Sequence, residues 1–146
     1  MKRQSRNAIE QVAGSLRSGE TSPAELKIAA DLIRDGAGAE LFGALVDQER
    51  NAGVEDSEGT FIARLMHRFE QIMPENAAVG TYLMGRLYGF AWKTVDHHVY
   101  NGIELWMHNT DSLDAANALL QLSTEPVRPA LKKACSAWAK MIREKA

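Results

Sequence analysis

Residues 77–109 read AAVGTYLMGRLYGFAWKTVDHHVYNGIELWMHN, and the layout of this stretch decides the fold. It holds every tyrosine of the chain, two of the three tryptophans and three of the four histidines. Placed on a helix, Val79, Leu83, Leu87, Phe90 and Ala91 share one side, and Tyr88, Val95, Val99 and Trp106 widen that stripe. Gly85 and Gly89 fall on the opposite side, with Ile103 and Met107 further along it. A helix-interior glycine costs about 1 kcal/mol relative to alanine. Two on one face point to a neighbour packed closely against them. Only Arg86, Lys93 and Glu104 mark a narrow polar strip. The spacing therefore predicts one long central helix over about 77–109, covered on two sides. Past Phe90 the stripe turns polar through Thr94, His98 and Asn101 before Leu105. Buried polar groups need partners, so this end is either a hydrogen-bonded cluster or a site. Asn101-Gly102 is a turn dipeptide at which the helix can break.

Outward from this stretch, the rest of the chain shows only helical periodicity. Ile9, Val12, Ala13 and Leu16 are helically spaced, and Gly19 is a stop. Ser22-Pro23-Ala24-Glu25 is a helix start, with Ser22 as cap, Pro23 in the first turn and Glu25 closing a capping box. That helix carries Leu26, Ala29, Ala30 and Ile33 and ends at Asp35-Gly36. A third runs from Ala39 to Asn51 with Leu41, Phe42, Leu45 and Val46 inward. Residues 54–59 are acidic and read as a loop. Thr60 is the expected cap of a helix facing inward through Leu65, Met66, Phe69 and Ile72, which Pro74 ends. Asp111 or Ser112 caps a short helix with Leu113, Ala116, Leu119 and Leu120 inward. Ser123-Thr124-Glu125-Pro126 is read as opening the last helix, with Val127, Leu131, Ala134, Trp138, Met141 and Ile142 inward. No alternation of the strand kind is sustained. The expectation is a single all-α domain of six to eight helices, orthogonal or bundle-like. Residues 1–53 would form an N-terminal subunit of three short helices, and residues 60–146 the helical core.

Composition narrows the function. At 146 residues the chain is long enough for one real core. Its one cysteine, Cys135, excludes an intrachain disulfide framework and fits a reducing compartment. The basic N-terminus is not followed by an apolar segment, and nothing is long enough to span a bilayer. The cytoplasm of a bacterium or of a phage-infected cell is the expected location, with no membrane partner. Net charge is −2, unevenly distributed. Lys2, Arg3, Arg6 and Arg17 face only Glu10 before residue 19. The segment 20–60 is strongly acidic. Beyond residue 125, Arg128, Lys132, Lys133, Lys140, Arg143 and Lys145 oppose only Glu144. The basic ends either fold against the acidic segment or form a surface for a polyanion.

Chemistry is weakly encoded. His67 and Glu70 lie one turn apart, and His97, Glu104 and His108 lie on the next predicted helix, as in a bundle metal site. The order His-x-x-Glu occurs once, and adjacent His97 and His98 diverge by about 100° on a helix. Solvated histidines are the plainer reading. Phosphate-cradling, nucleophile-elbow, C-x-x-C and dinucleotide motifs are all missing. No catalytic residue and no cofactor is assigned.

The segment Leu16-Arg17-Ser18-Gly19-Glu20-Thr21-Ser22-Pro23-Ala24-Glu25-Leu26, continuing to Leu32-Ile33-Arg34-Asp35, resembles the helical segment near the start of some phage terminase small subunits. The resemblance implies a DNA-binding, oligomer-forming packaging protein, and it covers about a seventh of the chain. Phosphate neutralisation dominates DNA affinity, so the cations of choice are Lys2, Arg3, Arg6, Arg17, Lys132, Lys133, Lys140 and Arg143 rather than this acidic region.

Three functions stay open, in this order. The first is a protein that binds a protein partner or itself, through Tyr82, Gly85, Gly89, Tyr100 and Met107. Tyrosine and methionine near a polar strip are typical of interfaces, although neighbouring helices of the same chain would cover them equally well. The second is a DNA-binding packaging or regulatory protein. The third is a metal-dependent helical enzyme.

Overall fold

The computed structural model describes residues 3–18, 22–51, 58–91 and 97–146, with side chains described for 6–18, 22–48, 65–89 and 101–146. These residues form eight helices: α1 (Arg3–Ser18), α2 (Pro23–Arg34), α3 (Gly38–Asn51), α4 (Glu58–Ile72), α5 (Ala77–Ala91), α6 (His97–Asn109), α7 (Leu113–Ser123) and α8 (Pro129–Lys145). The all-α class and the helix number follow the sequence expectation. Helices α1, α2 and α3 pack on one another, and α7 packs on α8. Between these groups lies α5, in contact with α2, α3, α4, α6 and α7. Its only charged residue is Arg86, so it has almost no face suited to water.

The long helix expected over 77–109 is two helices, α5 and α6. Tyr88 Oη donates to Glu104 Oε2 at 3.1 Å, across sixteen residues. Along a continuous helix that separation would be about 24 Å. The chain reverses instead, and the reason is size. One helix over 77–109 would be about 50 Å long, whereas a folded chain of 146 residues has a radius of gyration near 15 Å. Folding back lets both halves bury their apolar sides. Asn101-Gly102 does not break α6, which runs through it.

Local signals set most helix ends. Ser22 and Glu25 form the expected capping box, with Glu25 N–H donating to Ser22 Oγ at 3.2 Å and Ser22 N–H to Glu25 Oε1 at 3.3 Å. The Ser15 hydroxyl also donates to Glu25, joining α1 to this cap. After α2, Gly36 takes a left-handed φ of +91°, and Ala37 N–H reaches back to Leu32 O at 2.8 Å, closing the helix in a Schellman turn. Asn76 Oδ1 accepts from Val79 N–H at 3.1 Å, while Asn76 Nδ2 donates to Leu26 O at 3.3 Å, so one side chain caps α5 and ties it to α2. Ser112, not Asp111, caps α7.

Two expected starts shift. Helix α4 begins at Glu58, so Thr60 lies inside it. Ser123-Thr124-Glu125-Pro126 closes α7 rather than opening α8. The hydroxyls of Ser123 and Thr124 donate backwards to Leu120 O at 2.6 Å and Gln121 O at 2.7 Å. The last helix starts at Pro129, with Arg128 at its N-cap.

Candidate functional site

The described residues of the interface expected at Tyr82, Gly85, Gly89, Tyr100 and Met107 do not form an exposed face. Tyr82 and Met107 are both 0 % exposed. The Tyr82 ring lies against Gly38, where an added Cβ would come within 2.5 Å of it, and its hydroxyl donates to Glu125 Oε1 at 2.7 Å. Leu122 of α7 fills the space beside Gly85, and Leu131 of α8 the space beside Gly89. The close approach inferred from these glycines is real, but leucines of the same chain make it. Tyr100 lies outside the described side chains. At Gly85 and Gly89 the error was to look for a second chain where α7 and α8 supply the neighbour, and at Met107 it follows from the chain reversal. Helical phase does not carry from α5 into α6, so Met107 turns inward and Leu105 outward.

The large apolar side chains that do reach solvent, among the described residues, are Ile28, Leu105 and Leu113. Leu105 is 64 % exposed and Leu113 55 % exposed, although both were expected in apolar stripes. In α7 the buried face is made by Ala115, Ala116, Ala118, Leu119 and Leu122, which leaves Leu113 outside it. The two leucines sit on either side of the short α6–α7 connection. Beside that connection is a groove of about 570 Å³, whose lining includes Met73, Ala77 and Trp106 together with Glu70, Glu75 and Asp114. Leu113 falls between two lining residues, Ser112 and Asp114. Leu105 is one helical step, about 100°, outward from Trp106. The corner therefore combines exposed leucine, a half-buried tryptophan and three carboxylates.

The end of α8 meets the same corner. Lys145 Nζ donates to His108 O and, at 3.3 Å, to Thr110 O, and Thr110 lines the groove. Along α8, Leu131, Cys135, Trp138, Ala139 and Ile142 are buried. Lys132, Lys133, Lys140 and Arg143 are all exposed on the opposite face, where Glu144 is the one acid. Arg143 donates to Asn117 Oδ1 of α7 at 3.3 Å. Of the other proposed cations, Arg3, Arg6 and Arg17 belong to α1, which packs on α2, α3 and α4, and Lys2 lies outside the described residues. On α1, Arg6 is exposed and Arg17 half-buried, while the Arg3 side chain lies outside those described.

The described members of the proposed metal set do not converge. Among the described residues, no three histidine, cysteine or acidic side chains come close enough to share an ion. His67 contacts Gln71 at 3.4 Å, His108 lies 3.9 Å from Glu104, and Glu70 lines the corner groove. The His97 side chain lies outside those described. Cys135 is buried, and burial pushes its thiol up to about 12. It is a core residue, poorly suited to nucleophilic work. The Tyr82 phenol is likewise held far above its ordinary value, first by burial and then by its hydrogen bond to Glu125.

No helix among the described residues is long and apolar enough to cross a membrane. In comparisons with known proteins, no family model, curated protein or solved structure matches the chain.

Proposed function

We propose that this chain works by binding another protein through the α6–α7 corner, and that a second copy of itself is the first partner to consider. The carrying observation is the pair Leu105 and Leu113, exposed on either side of the α6–α7 connection and each next in sequence to a residue that lines the groove, Trp106 and Ser112 or Asp114. A single exposed leucine is ordinary, but two leucines with a tryptophan at one corner form the kind of apolar centre that interfaces use. Charge supports the choice of a second copy. The groove carries Glu70, Glu75 and Asp114, and the outer face of α8, which ends at the same corner, is cationic. A face with both signs side by side can complement itself about a two-fold axis. Its buried, unreactive Cys135 suits a reducing compartment, and we place the protein in the cytoplasm. Molar mass by light scattering over a dilution series, at low and at high ionic strength, tests this reading. Association that weakens with salt supports it, and a monomer under every condition rejects self-association.

A second reading has its own support. Lys132, Lys133, Lys140 and Arg143 share one exposed face of α8, as a strip for phosphates would require. The resemblance of residues 16–35 to phage terminase small subunits points in the same direction. Binding to duplex DNA through four cations would give a slope of about −3 to −4 for log affinity against log salt. A flat salt dependence would remove this reading.

A further inference from the structure

A second cavity lies away from the α6–α7 corner, at the opposite end of α8. It has a volume of about 290 Å³ and is lined by residues of α3, α5 and the start of α8. Phe42, Val127 and Leu131 supply its apolar wall, and Gly89 adds no side chain to it. Among the described residues, the two charged ones that line it are both arginines, Arg86 and Arg128. Helix α8 spans 17 residues, so about 25 Å separate this cavity from the corner.

We infer that this cavity binds a small carboxylate with an apolar body, of the medium-chain class. Several observations support that chemistry. The Arg86 guanidinium sits 5.8 Å from the centre of the Phe42 ring. Such a cation–π contact uses the charge of the guanidinium and not its N–H groups, which remain donors suited to a carboxylate. Arg128 occupies the N-cap of α8, and Pro129 follows it. The positive end of that helix therefore lies at the cavity wall, where Leu131 is a lining residue. The apolar wall calls for a ligand body, and the volume exceeds what an inorganic ion fills. It is near the lower bound of about 300 Å³ for small-molecule sites.

The test uses the full chain, with octanoate and octan-1-ol as probes in isothermal titration. The expected result is saturable binding of one octanoate per chain, with octanol weaker by about tenfold or more, because only the acid engages the arginines. Arg86→Gln and Arg128→Gln should each weaken octanoate by a similar factor and leave octanol unchanged. Val127→Trp, which fills the cavity from a half-buried position, should abolish both. Thermal melting of each variant with and without octanoate separates lost binding from lost folding. The inference is overturned if the wild type shows no saturable octanoate binding, or if octanol binds equally well. It is also overturned if a folded Arg86→Gln or Val127→Trp variant binds octanoate as the wild type does.

Discussion

Tyr88 Oη donates to Glu104 Oε2 at 3.1 Å, joining α5 to α6 where one continuous helix was expected. The Tyr88 ring also meets Trp138 of α8 edge to face, with centroids 4.7 Å apart and planes at 88°. One side chain thus fixes three helices. Tyr88→Phe keeps the ring contact and loses the hydrogen bond, and should cost about 0.5–1.5 kcal/mol in urea denaturation. Tyr88→Ala loses both and should cost about 3–5 kcal/mol. Equal small losses for the two variants would mean that the α5–α6–α8 junction is not built on this residue.

Glycines of the same chain should respond oppositely to alanine. At Gly38 an added Cβ meets the rigid Tyr82 ring at 2.5 Å, and the ring is held by Glu125. Gly38→Ala should therefore destabilise by about 1–3 kcal/mol. At Gly102 the atom in the way is Met66 Cε, the end of a flexible side chain. Gly102→Ala should be neutral or stabilise by up to about 1 kcal/mol, through helix propensity. Thermal melting of the pair checks the contrast, and a reversal of sign would contradict the packing described.

Much of this was legible in the sequence, because the deciding interactions were local. The capping box at Ser22 and Glu25 and the turn at Gly36 need only neighbouring residues. Helix periodicity exposed the all-α class for the same reason. The errors were long-range. The letters Ser123-Thr124-Glu125-Pro126 suit a helix start, but Glu125 receives its hydrogen bond from Tyr82, forty-three residues away, and the hydroxyls turn back into α7. Leu105 and Met107 exchanged their expected places because the chain reversal reset the helical phase. No pattern within α6 alone reveals that. The candidate corner was therefore missed, while its tryptophan was noticed.

Thr81 is buried at 0 % exposure and its hydroxyl has no hydrogen-bond partner. Valine has nearly the same shape and no polar group. Thr81→Val should raise stability by about 1–3 kcal/mol, the cost of an unsatisfied buried hydroxyl. A loss of stability would show that the hydroxyl is satisfied in solution.

Alkaline pH should weaken the fold through Tyr82 and Cys135. Both hold their protons more tightly folded than unfolded. Below pH 9 neither state has lost these protons, and their contribution is complete. As pH rises past the ordinary values of 9.0 for the thiol and 10.0 for the phenol, the unfolded chain deprotonates while the folded chain does not. Stability then falls by up to about 1.4 kcal/mol per pH unit per group, the thiol ceasing to contribute near pH 12. Cys135→Ala should flatten the profile from pH 9, and Tyr82→Phe from pH 10. A wild-type profile that is level above pH 9 would contradict the burial of both.

The most direct test of the proposed function compares the wild type with a Leu105→Glu/Leu113→Glu double variant by light scattering at matched concentration and low ionic strength. Both positions are exposed, so the variant should melt within about 1 kcal/mol of the wild type. The account predicts a multiple of the chain mass for the wild type and a single chain mass for the variant. An associated wild type whose mass is unchanged in the variant would place the interface elsewhere and contradict the assignment of the α6–α7 corner.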